Sequence, residues 1–391
     1  MSDRGDDASA NGRVRHVALA LAALALAACA SAYGRLRSET EIPECRRYID
    51  LAAAVPHVGR LVPAGDAGGE KVRLSLEQRG TGKSDRVDVL VHGVLSDSRT
   101  WRYVAAELSG DRDVLTIDLP GCGGSDKPDP SVVGDDAYAP SAMARNVLAA
   151  LREFMTTRGT RPRMTIVGHS LGTAVVLRML GDPALRAEFA DVVECVDRAV
   201  FLSPLAFAFE RPDPLFERIA ALTAVEVTMG EVLGILRGAV ADTIWNGVED
   251  PTRAPREEAD RLFEILSAGD TRHAGQAMIR SAVPFTAEGR CDWVRIERLE
   301  DDYDNVRVPC LLVAGGRDET LPQAMAFRLR ELLPRAWLRI LPRAMHALPT
   351  ERPQECAQLV RDFDVTGGEG WAAFDDGRRR GERGTAVVVR P

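Results

Sequence analysis

The 391-residue chain lacks several features that would have settled its class at once. It has no Cys-x-x-Cys pair and no histidine–cysteine cluster, so the common zinc and iron–sulfur arrangements are excluded and no metal is expected. Its charges are not segregated by sign, and a net charge of −8 leaves no basic stripe for nucleic acid, which is not expected as a partner. The turn Gly82-Lys83-Ser84 misses the glycine that a phosphate-binding loop needs five residues earlier, where Glu77 stands. The apolar run that starts at Val17 and ends at Cys29 falls well short of the roughly 20 residues that cross a bilayer as a helix. What is present suits a large globular core: 45% of residues are hydrophobic, and the length allows one large domain or two smaller ones.

The N-terminus reads as an export signal. Arg13 and Arg15 precede the short Ala/Leu stretch, a charged region followed by an apolar one. The stretch closes on Leu26-Ala27-Ala28-Cys29, which resembles the lipobox of bacterial lipoproteins. That resemblance implies cleavage after residue 28, a lipid on Cys29, and a chain exported and held on the cell envelope. Ala30-Ser31, with no Asp directly after the cysteine, favours the outer membrane if the source is Gram-negative. The other six cysteines allow 15 full pairings, among which the sequence does not choose.

Residues 29–68 are expected to form a tether and N-terminal segment, broken by Pro56, Pro63 and "AGDAGG" into loop and one helical piece. From residue 69 to 204, apolar strand-like runs alternate with helical ones. "KVRLSLEQ" and "RVDVLVHG" read as strands joined across a Gly-rich turn of hairpin composition; helices are expected at 101–108, at about 141–157 and from 171 onward. The alternation stops near 205 and resumes near 308. Between them Leu215, Phe216, Ile219 and Leu222, then Leu262, Phe263 and Leu266, follow the helical period, which predicts an inserted helical cap over 205–308. The core resumes over 309–365, and 366–391, rich in Gly and Arg, reads as a flexible tail. The fold class is α/β, a mostly parallel central sheet flanked by helices and carrying a helical cap.

Gly168-His169-Ser170-Leu171-Gly172 places a serine between an apolar strand and a helix, where a sharp turn pushes its hydroxyl outward. Serine is a poor nucleophile near neutral pH and needs a base oriented by a third group. Asp318 and His346 each follow an apolar strand and come in the order Ser, Asp, His. The backbone N–H groups of Val94, after the strand that ends in His92-Gly93, and of Leu171 are the expected oxyanion donors. His169 is expected to pack under the turn and His92 to brace the end of its strand. His16, His57 and His273 lack such a setting.

Together "VHGVLSDSRTW", "IDLPGCGGSDKP", "IVGHSLG", "VAGGRDETLP" and "AMHALPTERPQE" resemble the ordered motifs of capped α/β-hydrolases. The resemblance implies Ser170, His346 and Asp318 as a triad, no cofactor, and a small-molecule or lipid acyl ester as substrate for a membrane-tethered serine hydrolase. A serine nucleophile disfavours the haloalkane dehalogenase and epoxide hydrolase branches, and "HGVLSD" departs from the oxyanion loop usual in meta-cleavage C–C hydrolases. An acyltransferase using the same triad, or a non-catalytic binding protein on this fold, are the alternatives. Phe207, Phe209, Phe216, Trp245 and Phe285 are candidates to line an acyl pocket, or else the cap's own core. Oligomeric state is left open.

Overall fold

The computed structural model describes residues 33–206, 214–286 and 290–366. The expected signal segment, Cys29, Phe207, Phe209 and the C-terminal tail lie outside the described residues. Among the described residues no helix is long and apolar enough to cross a membrane.

Eight strands form one sheet: β1 (His57–Ala67), β2 (Glu70–Arg79), β3 (Arg86–Val91), β4 (Asp113–Ile117), β5 (Arg163–His169), β6 (Val196–Leu202), β7 (Cys310–Gly315) and β8 (Ala336–Leu341). Their order is β1-β2-β4-β3-β5-β6-β7-β8. Every pairing from β4 to β8 is parallel, and β2 runs antiparallel to both of its neighbours. The central strands are apolar at successive positions because both sheet faces are covered. Val89 and Val91 point into one core with helices α3 (Pro140–Arg158), α4 (Leu171–Gly181) and α11 (Gln323–Leu332). Leu90, between them, points into the opposite core with α2 (Arg102–Leu108) and α12 (Pro353–Thr366), as the two-residue period of a strand requires.

Two expectations fail here. The Gly-rich turn does not close a hairpin: β2 pairs with β4, and β3 lies on the far side of β4. The true hairpin is β1–β2, turning at Gly68-Gly69. In residues 33–67 the expected helical piece is present as helix α1 (Pro43–Ala53), but the stretch after it, read as loop, is the eleven-residue β1. Pro63 and the glycines that read as breaks are tolerated because β1 is an edge strand whose register shifts between Pro63 and Asp66. Asn146 of α3 fastens that edge, donating from Nδ2 to the carbonyls of Ala64 (2.8 Å) and Asp66 (3.0 Å).

Between β6 and β7 stand helices α5 (Pro214–Ala221), α6 (Ala224–Val232), α7 (Ile235–Asn246), α8 (Arg256–Ser267), α9 (Gly269–Ala282) and α10 (Trp293–Asp301). Their own core gathers Val240, Ala259, Ile265 and Leu266, with Phe216 and Trp245 packed against it. Phe285 packs against the sheet cluster instead. The N-terminal segment and the turn after β3 also enter the cap core, through Leu36 and Leu95, with Tyr33 and Val94 packed against it. The six cysteines among the described residues are buried and form no disulfide with one another.

Candidate active site

Ser170 stands at the junction of β5 and α4 with φ +53° and ψ −121°, a conformation that non-glycine residues rarely adopt. The turn stays this tight because its neighbours have no side chain to collide. A Cβ on Gly172 would lie 2.3 Å from the carbonyl of Val91, and one on Gly93 would lie 2.9 Å from Cβ of Ser170. The glycines therefore press the end of β3, and with it the backbone leading to Val94, against the serine. Ser170 N–H donates to the Leu202 carbonyl at 3.0 Å, tying the turn to β6. Leu171 opens α4, where unpaired N–H groups and the helix dipole favour negative charge.

Asp318 and His346 come from the loops after β7 and β8. Those loops are laced together through the backbone: Gly316 N–H donates to the Leu341 carbonyl (2.7 Å) and Arg317 N–H to that of Ala344 (2.9 Å). The result is a His346 Nδ1 to Asp318 Oδ2 hydrogen bond of 2.9 Å, with Asp318 Oδ1 accepting from Leu321 N–H at 2.8 Å. Burial raises the Asp318 pKa, but the attraction and hydrogen bond of His346, the Leu321 N–H and the Ser203 side chain outweigh it, so the carboxyl lies below its ordinary value. It is an acceptor at neutral pH. With Nδ1 committed to Asp318, Nε2 of His346 is the basic nitrogen.

Three residues support this arrangement, two of them, Ser203 and Glu351, without an assigned role in the sequence. The His346 carbonyl accepts from Ser203 Oγ and His169 Nε2, each at 3.0 Å. His169 packs beside His346, ring centroids 5.1 Å apart, and burial pushes its pKa down to about 3, reinforced by His346. It stays a neutral donor. His169 thus lies under the turn as expected, though its grip on the histidine loop was not foreseen. Glu351 accepts from Met345 N–H at 3.0 Å and from Glu249 N–H of the cap at 2.9 Å, and burial raises its carboxyl to about 7. Ser203 and His169 bond a backbone carbonyl of a loop far away in sequence, and Glu351 ties its own loop to the cap, contacts that have no sequence signal of their own.

His92 braces its strand end: Nδ1–H donates to the Gly93 carbonyl at 2.8 Å, and Nε2 accepts Leu119 N–H at 3.0 Å. Burial lowers its pKa and keeps it neutral. Beyond it, Asp97 and Ser96 meet the cap, where Arg261 donates to Ser96 Oγ (3.3 Å) and to Glu258 (2.8 Å). Glu258 also pairs with Arg102, whose Nε donates to Glu39 at 2.6 Å. Cap, turn and N-terminal segment thus share one buried ionic network. Among the described residues, no group of three or more His, Cys, Asp or Glu is placed to hold a metal ion.

A strained serine at a strand–helix turn and a carboxylate-held imidazole, both at the C-terminal edge of a parallel sheet, define a hydrolase of the α/β class. The chain belongs to the alpha/beta hydrolase family, whose sequence pattern matches residues 89–359. It is 25% identical over 310 residues to 2-hydroxy-6-oxo-2,4-heptadienoate hydrolase of Pseudomonas putida, covering 78% of this chain and 96% of that one. It is 22% identical over 292 residues to sn-1-specific diacylglycerol lipase ABHD11 of Mus musculus, covering 70% and 80%. Among solved structures, 2-hydroxy-6-oxo-6-phenylhexa-2,4-dienoate hydrolase from Rhodococcus sp. strain RHA1 superposes with a TM-score of 0.60 at 21% identity, covering 80% of this chain and 99% of that chain. Relatives of such different specificity agree on the scaffold and on hydrolysis.

Proposed function

We propose that the protein is a membrane-tethered serine hydrolase that cleaves carboxylic acyl esters. His346 takes the Ser170 proton as Oγ attacks the acyl carbonyl, while Asp318 holds the imidazole tautomer and stabilises the imidazolium. The Val94 and Leu171 N–H groups receive the oxyanion. The imidazolium protonates the departing alcohol, and water, deprotonated by His346, then releases the acid from the acyl-enzyme. The observation that carries this reading is the conjunction of Ser170 at φ +53° with the 2.9 Å bond between His346 and Asp318. Lipidation of Cys29 supplies the tether.

Fluorophosphonate labelling and turnover of p-nitrophenyl esters of graded chain length test it. The wild-type chain labels and turns over, and Ser170→Ala or His346→Ala lowers kcat by at least about 10³-fold while leaving the fold intact. Folded wild-type protein that neither labels nor hydrolyses any ester would overturn the reading. Cleavage of a carbon–carbon bond is the second reading, favoured by the near full-length match to the Pseudomonas putida hydrolase. The turn "HGVLSD" speaks against it, and the relative kcat/KM on 2-hydroxy-6-oxo-2,4-heptadienoate and on esters decides.

A further inference from the structure

Four apolar side chains of the cap face water. Val225, Met229 and Val232 on α6, with Leu233 just beyond, are 68%, 57%, 80% and 50% exposed, whereas Val227 of the same helix is 3% exposed. At about 100° per residue the four fall within one arc of about 100°, and Val227 lies opposite, turned into the protein. Such a face on a surface helix calls for a partner.

The chain's own path says which. Helix α6 rests on α7 and α8. The same two helices hold the start of the described chain: Tyr33 Oη donates to Asp260 at 2.8 Å, Arg237 donates to Tyr33 Oη at 3.1 Å, and Arg256 Nη2 donates to the Leu36 carbonyl at 2.8 Å. Three residues separate Tyr33 from Cys29. Four backbone steps reach at most about 14 Å, so an anchor at Cys29 holds the cap, rather than the sheet, against the bilayer.

We infer that the Val225, Met229, Val232 and Leu233 face of α6 seats in the lipid–water interface of the membrane that carries the anchor, so that the site draws on acyl esters dissolved in that membrane. The inference rests on the tethered-hydrolase reading. A nine-residue helix gives weak binding alone, but a tether turns its insertion into an intramolecular step at high effective concentration.

The test uses the full lipidated chain bound to phosphatidylethanolamine–phosphatidylglycerol vesicles. Val232→Trp adds emission that is blue-shifted by vesicles and quenched by brominated acyl chains, whereas Val294→Trp, also on an exposed cap site, stays unquenched. Met229→Glu lowers turnover of a vesicle-borne diacylglycerol about tenfold relative to a soluble p-nitrophenyl ester. Val232→Trp that remains in water on vesicle-bound protein overturns the inference. So does Val232→Trp emission already shielded without vesicles, which would assign the face to a second copy of the chain. Failure of the hydrolase reading shows separately as absent fluorophosphonate labelling, and failure of the anchor as unchanged pelleting of Cys29→Ala. Quenching at Val232→Trp reads the docking itself whatever the chemistry.

Discussion

Among the described residues three non-glycines carry positive φ: Leu95 (51°), Ser170 (53°) and Ser203 (44°). Each follows the C-terminal end of a strand, β3, β5 or β6 respectively, and each lies at the candidate site. Strain of this kind costs on the order of 1–3 kcal/mol per residue and survives only where neighbours fix the backbone. Here those neighbours are the cap for Leu95, glycines for Ser170, and for Ser203 a 2.8 Å bond from its N–H to the Val313 carbonyl. Glu351 is held differently, as a carboxyl that burial raises from 4.5 to about 7. A raised carboxyl favours folding in its protonated form, so that contribution is full below about 4.5 and disappears as pH climbs past 7. Glu351→Gln therefore shows a smaller fall in Tm between pH 5 and pH 8 than the wild-type chain, measured by thermal unfolding in matched buffers. Ser170, Asp318 and His346 were legible in the sequence because strand-end motifs frame them. Ser203 and Glu351 were not, since what marks them is a hydrogen bond to backbone distant in sequence, from Ser203 to the His346 carbonyl and to Glu351 from the Glu249 N–H.

The ionic network is what joins one element to the next. Glu258 of α8, 4% exposed, lies between Arg102 of α2 and Arg261, and although burial pushes its carboxyl up, the two guanidiniums hold it down at about 2. Glu258→Ala leaves two buried cations short of a partner and is expected to cost about 3 kcal/mol, seen as a lower denaturant midpoint with an unchanged slope. The sign with pH follows from the lowered pKa. The carboxylate's contribution is full above about 4.5 and is lost as pH falls toward 2, so the gap between variant and wild type narrows in acid. Central strands and core helices were legible as elements because buried parallel strands are uniformly apolar and the helices keep their period. Strand β1 was not: among its described side chains only Val62 and Ala64 are buried in the core, and an edge strand needs no more apolar pattern than that. The pairing of β2 with β4 rather than β3 escaped for another reason. Turn composition describes a local bend and carries no information about which strand lies beyond it.

At the scale of the molecule, the N-terminal segment is bonded to the cap through Tyr33 and Leu36, so the proposed anchor on Cys29 would pull on the cap. If the tether is the lipid on Cys29, Cys29→Ala moves the folded chain from the membrane pellet to the soluble fraction while its fluorophosphonate labelling persists, a result read by fractionation and gel fluorescence.

The reach of that N-terminal segment also orders events in time. Tyr33 is bonded to a residue 227 positions downstream, and Ser38 to Glu257, 219 positions downstream. The first described residues to leave the ribosome thus have no docking surface until most of the chain has followed. Contacts of such sequence separation form late, after the loop-closure entropy has been met by the sheet and cap. The N-terminal segment closes over an already assembled body, and maturation ends where translation began.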